Sequence, residues 1–134
     1  MSFHKWNKPL IALLICIILS GCTEFRDLTP SEFRVQKYYY KTVNLSKSLK
    51  ELSDMLVIYN NNCKLAAGIV INPDQLSGSI IWRIGGFADL ATMAVMDFKE
   101  ISKNNTEIKI WAAEMWKNPP DTILRILENP GKCP

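Results

Sequence analysis

The apolar positions of this chain fall into runs of three kinds, and each kind predicts a different element. Residues 10–19 are apolar without interruption, Leu-Ile-Ala-Leu-Leu-Ile-Cys-Ile-Ile-Leu. Residues 44–59 place Leu45, Leu49, Leu52, Leu56 and Tyr59 at helical spacing, which predicts an amphipathic helix. Asn44 is its expected N-cap. Ser48 and Glu51 also stand at capping-box spacing, but that start leaves Leu45 outside the helix. Asn60, Asn61 and Asn62 are expected to end the helix, because Asn tolerates the left-handed geometry of a helix exit.

The remaining pattern is mostly extended. Residues 33–40, rich in aromatic and β-branched side chains, predict a strand with Phe33, Val35, Lys37 and Tyr39 on one face. Pro30 argues against a helix just before it. A continuous apolar run at 65–71 predicts a buried strand, Asn72-Pro73-Asp74 opens a turn reaching Gly78, and 79–84 put Ile80, Trp82 and Ile84 on one face of the next strand. Residues 92–101 and 106–111 alternate around a polar turn at 102–105, which suggests a hairpin. The stretch 87–101 also carries helical spacing at Phe87, Leu90, Ala91, Ala94, Phe98 and Ile101, so both readings stand there, with strand preferred. Pro119-Pro120-Asp121 opens a short final helix with Asp121 as its cap, and Pro130-Gly131 stops it. The expectation is an α+β fold in the order β-α-β-β-β-β-α. It has a mostly antiparallel sheet of about five strands, with the long and the short helix on one face.

The first run has another meaning. Lys5 and Lys8 precede it and the small residues Ser20 and Gly21 follow it, the three-part order of a secretory signal. Ten apolar residues fall well short of the roughly 20 that a bilayer-spanning helix needs. Leu19-Ser20-Gly21-Cys22 resembles the lipobox of bacterial lipoprotein precursors at all four places. That resemblance covers residues 1–22 alone. It implies diacylglyceryl attachment to the Cys22 thiol, cleavage between Gly21 and Cys22 by signal peptidase II, and N-acylation of the new terminus. Thr23 stands where enteric relatives retained at the inner membrane carry Asp, so the resemblance also implies the outer membrane. The expected organisation is a signal peptide at 1–21, a lipidated cysteine and tether at 22–32, and a single periplasm-facing domain at 33–134.

Processing changes the composition. Of 134 residues 113 remain, and loss of Lys5 and Lys8 leaves 14 basic against 13 acidic residues. The net charge falls to about +1, and no basic stripe marks a nucleic-acid surface. His4, the sole histidine, lies in the signal, so the mature chain lacks the commonest general base and metal ligand. Cys16 leaves and Cys22 carries lipid, so Cys63 and Cys133 remain for one intramolecular disulfide in an oxidising compartment.

Catalytic signals are weak. There is no G-x-S-x-G, C-x-x-C, H-E-x-x-H or EF-hand pattern, and Gly85-Gly86 lacks phosphate-loop spacing. Asp97 and Glu114 fall in stretches predicted as neighbouring strands and form the one candidate carboxylate pair. Trp82, Trp111, Trp116 and Met96, with Met93 and Met115, are candidates to line an apolar ligand cavity, or else to fill the core. Tyr38, Tyr39 and Tyr40 offer either a stacking surface or rings on both faces of a strand. The expected function is that of a lipid-anchored envelope protein working by binding or assembly with a membrane and an envelope partner. It would have no catalytic step, no metal and no cofactor besides the covalent lipid. A carrier of an apolar ligand or lipid is the alternative, and an envelope hydrolase the third reading.

Overall fold

A computed structural model describes residues 28–64, 67–85, 90–131 and 133. The signal peptide, the lipobox with Cys22, and tether residues 23–27 lie outside the described residues. The fold is α+β. A short helix α1 (Pro30–Phe33) and a 3-10 turn (Gln36–Tyr38) lead into strand β1 (Tyr39–Leu45) and the long helix α2 (Leu49–Cys63). Strands β2 (Val70–Ile71), β3 (Ser77–Gly85), β4 (Leu90–Ser102) and β5 (Asn105–Ala112) follow. A second 3-10 turn (Glu114–Trp116) and helix α3 (Asn118–Glu128) complete the described elements. The sheet order is β1-β5-β4-β3-β2, with every pairing antiparallel.

β1 and β2 are opposite edges, so α2, which joins them, has to cross the face of the sheet. Leu49, Leu52, Leu56 and Tyr59 face inward there, as their spacing predicted. With Ile123, Leu124, Ile126 and Leu127 of α3 they close a core over Ile80, Met96, Phe98, Ile108 and Ile110. Burying each such side chain contributes about 1.5–3 kcal/mol. The opposite face of the sheet is covered in part by α1, which packs against β4.

Several boundaries differ from the sequence reading. The helix begins with Ser48 as its cap, not Asn44. The Ser48 hydroxyl accepts from Glu51 N at 3.2 Å, and the Glu100 carboxylate of β4 accepts from Leu49 N at 2.9 Å. Leu45 is taken by β1, opposite Thr106. The asparagines do not end the helix either: it runs to Cys63, and Lys64 adopts the left-handed exit at φ 54°. Asn60 instead donates its side-chain amide to the Ala67 carbonyl.

The first strand is displaced from 33–40 to Tyr39–Leu45 because the tether forms a helical turn. Pro30 occupies the first turn of α1, where a missing N–H costs nothing. Thr29 and Glu32 form a capping box: Thr29 Oγ1 accepts from Glu32 N at 3.3 Å, and the Glu32 carboxylate accepts from Thr29 N at 2.8 Å. At the other end of the chain, Asp121 lies inside α3 and is not its cap; Lys117 takes that place. Among the described residues of the run expected as a buried strand at 65–71, only Val70 and Ile71 are paired, and both are exposed, because they form an edge strand. The ambiguous stretch is strand from Leu90 to Ser102.

Candidate functional site

The strand ends of β1, β3, β4 and β5 converge at one end of the sheet. Small side chains, Ala91, Ala112 and Ala113, leave space there, and a cavity of about 520 Å³ occupies it. Such a volume lies within the range of ordinary ligand pockets, roughly 300–1,000 Å³. Leu28, Ile84, Met93, Met115 and Trp116 give it an apolar wall, and Tyr38 and Tyr39 line it from the N-terminal side.

Local hydrogen bonds hold that wall. Ala113 N donates to Met93 O at 2.9 Å, carrying the β4–β5 pairing past the end of β5. Trp116 N donates to Ala113 O at 2.8 Å, which closes the 3-10 turn carrying Met115 and Trp116. Tyr38 is fixed by stacking on buried Phe33, with ring centroids 4.2 Å apart and planes within 6°. Tyr39 meets the edge of Trp111 at 6.5 Å.

The polar groups of the cavity are few. Lys37, Lys117 and Glu114 line it, and Glu114 is paired to Lys117 at 2.7 Å. Lys117 Nζ also lies 5.1 Å from the Tyr40 ring centroid. Thr92 lines the cavity with only 3% of its surface exposed, and its buried hydroxyl has no hydrogen-bond partner among the described residues. An unmet buried hydroxyl costs about 1–3 kcal/mol, so its presence calls for a partner.

Helix α3 is fastened next to this site by Asp121. Its Oδ2 accepts from Tyr40 Oη at 2.9 Å and its Oδ1 lies 2.6 Å from Lys41 Nζ. Burial pushes the Asp121 carboxyl up, but the bonds from Lys41 and Tyr40 outweigh it and hold it below the usual range. The Lys41 ammonium is raised, chiefly by its bond to Asp121.

The sequence candidates divide sharply. Of Trp82, Trp111, Trp116 and Met96, only Trp116 lines the cavity. Met96 is fully buried in the core, and Trp82 packs against the same core from β3. Trp111 pairs with Val95 and Tyr39 in the sheet, one residue short of the opening. Met93 and Met115 do line it. Tyr38 lies before the strand and its ring stacks on Phe33, Tyr39 meets the edge of Trp111, and the Tyr40 hydroxyl donates to Asp121.

Asp97 and Glu114 do not meet. Asp97 stands opposite Lys109 in the β4–β5 ladder, and its carboxylate holds Arg34. Glu114 lies beyond the end of β5, at least ~10 Å farther along the strand direction, paired to Lys117. Cys63 and Cys133 form a bonded pair with Cα atoms 5.5 Å apart. Among the described residues no group of His, Cys, Asp and Glu is arranged to hold a metal, and no helix is long and apolar enough to cross a membrane.

The residues missed by sequence reasoning are Leu28, Lys37, Ile84, Thr92 and Lys117. They come from five separate stretches and share no spacing. The alanines carried the one available signal, since small residues at the ends of adjoining strands leave room. Comparison of the chain with protein-family models, with characterised proteins and with solved structures gave no match.

Proposed function

We propose that this protein is a lipoprotein of a bacterial envelope, moored through Cys22 and working as a binding module without a catalytic step. The observation that carries the reading is the position of the cavity. Leu28 lines it and lies six residues after Cys22. Six residues span at most about 20 Å when extended. A domain moored by acyl chains at Cys22 therefore holds this opening close to the bilayer surface. Two or three long chains give lasting attachment where one gives only marginal binding.

Mooring also raises the local concentration of any partner in the same membrane. The reading takes the outer membrane, facing the periplasm, as the site, by the Thr23 argument. An envelope protein partner fits it, and so does an apolar ligand. The cavity favours the ligand.

Radiolabelled palmitate and cell fractionation test the mooring. Incorporation into the wild type, lost in Cys22→Ser together with signal cleavage and stable membrane association, is the expected result. Full maturation and unchanged partitioning of Cys22→Ser would overturn it.

A further inference from the structure

We infer that the cavity at the strand ends holds one of the protein's own acyl chains, carried on Cys22 and folded back from the membrane. This rests on the lipoprotein reading and names the occupant of the cavity. Three observations carry it. The first is reach: half-buried Leu28 is itself part of the wall, and the six steps from Cys22 to it span at most about 20 Å. The second is size. Taking a methylene at a water molecule's share of liquid volume, roughly 30 Å³, a cavity of about 520 Å³ takes about seventeen such groups, one long chain and not two. The third is charge. The charged side chains at the cavity are already engaged: Glu114 holds Lys117 at 2.7 Å, and Lys117 and Lys37 lie 5.1 and 5.4 Å from the Tyr40 and Tyr38 ring centroids. What is left is the apolar wall around Met93 and Trp116, which suits a tail with no charge of its own.

Attachment makes docking an intramolecular step, with the high effective concentration of a short link. A loose lipid would have to leave the bilayer whole, head group included, for a wall whose charges are taken. Moving a tail from bilayer to apolar pocket exchanges one apolar surrounding for another, so little opposes it. The mooring survives as well. The lipobox resemblance implies three chains on Cys22, and the two left in the bilayer are enough for lasting attachment. Met115, 91% exposed and also at the cavity, gives the tail an apolar side chain to pass along.

The test uses the full chain in its own envelopes. Cells are fed palmitate bearing a diazirine in its tail, which reaches Cys22 by acyl transfer. The isolated envelopes are irradiated and the digest is mapped by mass spectrometry. A cross-link is expected between the peptide that begins at Cys22 and a peptide carrying Met93 or Trp116. Two cavity-filling variants, Ala113→Trp and Ala91→Phe, should each show it roughly tenfold less at equal acylation. Resistance to limited proteolysis, read beside the intact Cys63–Cys133 bridge, reports that they fold. Wild-type protein acylated at Cys22 but cross-linked only to bilayer lipid, or only at Met115, would overturn the inference without needing any variant. So would a cross-link unchanged in a folded filling variant. Adducts on Met93 or Trp116 with the mass of a free lipid, and none joined to Cys22, would overturn it too, because the cavity would then take a foreign chain. Acylation of Cys22 is read separately in the same digest. Its absence removes the mooring and this inference together, whereas its presence without a cavity cross-link removes the inference alone.

Discussion

Arg34 and Asp97, 63 residues apart in sequence, are joined by two parallel hydrogen bonds: Nε to Oδ2 at 2.5 Å and a terminal guanidinium nitrogen to Oδ1 at 2.7 Å. The fork binds the segment that carries α1 to the middle of β4. It places Phe33 and Tyr38 so that the N-terminal wall of the cavity is formed by residues on the far side of the tether.

Breaking that fork is expected to loosen residues 28–38 before anything else. Both side chains keep 30% of their surface in solvent, so water screens the pair and its coupling should be modest, about 0.5–1 kcal/mol in an Arg34→Ala and Asp97→Ala double-mutant cycle. Hydrogen exchange should rise across 28–38 in either variant while α2 and α3 stay protected. Equal acceleration in all three elements would show that the segment is no separate unit.

Reduction of the Cys63–Cys133 bond should cost far more. The bond closes a loop of 70 residues, for which the chain-entropy model gives roughly 4 kcal/mol. Urea unfolding of Cys63→Ser with Cys133→Ser, compared with the parent, measures it; a loss well under 1 kcal/mol would mean that the denatured chain is restrained by other means.

Stability should fall in acid partly through Asp121. Its carboxyl is held below the ordinary value in the folded protein, so its contribution is present above the unfolded value of about 3.9 and disappears as pH drops through the folded one. Lys41 is raised, so its share is present below its unfolded value, about 10.4, and is lost only as pH climbs through the folded one. Asp121→Asn should therefore flatten the dependence of Tm on pH between about 5 and 2 and leave the pH 8 to 9 range level. An unchanged acid slope would assign the effect to other carboxylates.

Gly78 admits no side chain. A Cβ there would lie 2.7 Å from Ile69 Cγ2 and 2.8 Å from the Val70 carbonyl oxygen, in the stretch where β2 pairs with β3. Gly78→Ala should destabilise by about 1–3 kcal/mol, read by thermal unfolding, and should release Val70 and Ile71 from the sheet. A neutral result would mean that β2 shifts at little cost.

Strong periodicity was legible in the sequence and local competition was not. The inward face of α2 and the β4–β5 hairpin followed from spacing, and the five strands with the long and the short helix appeared in the expected order. The start of α2 was misplaced because its cap is shared with Glu100, a residue 51 positions away on another strand. The tether was misread because Pro30 was weighed as a breaker, when at the first turn of a helix it is an asset. The cavity was the least legible part. Alternation assigns a side chain to a face of the sheet, which correctly separates Met96 from Val95, but it says nothing about which strand ends gather. Trp82 and Trp111 are apolar and on the right strands, but the space opens beside the small Ala91, Ala112 and Ala113 at the strand ends.

The pairing of β1 with β5 has a further consequence for how the molecule is made. Its earliest strand can find a neighbour only when its latest one exists. A nascent or threading chain therefore carries residues 39–45 as an unclaimed ribbon until nearly everything else has emerged. Contacts so distant along the chain slow assembly. Any product cut short before residue 105 leaves that ribbon with a bare edge and nothing of its own to cover it.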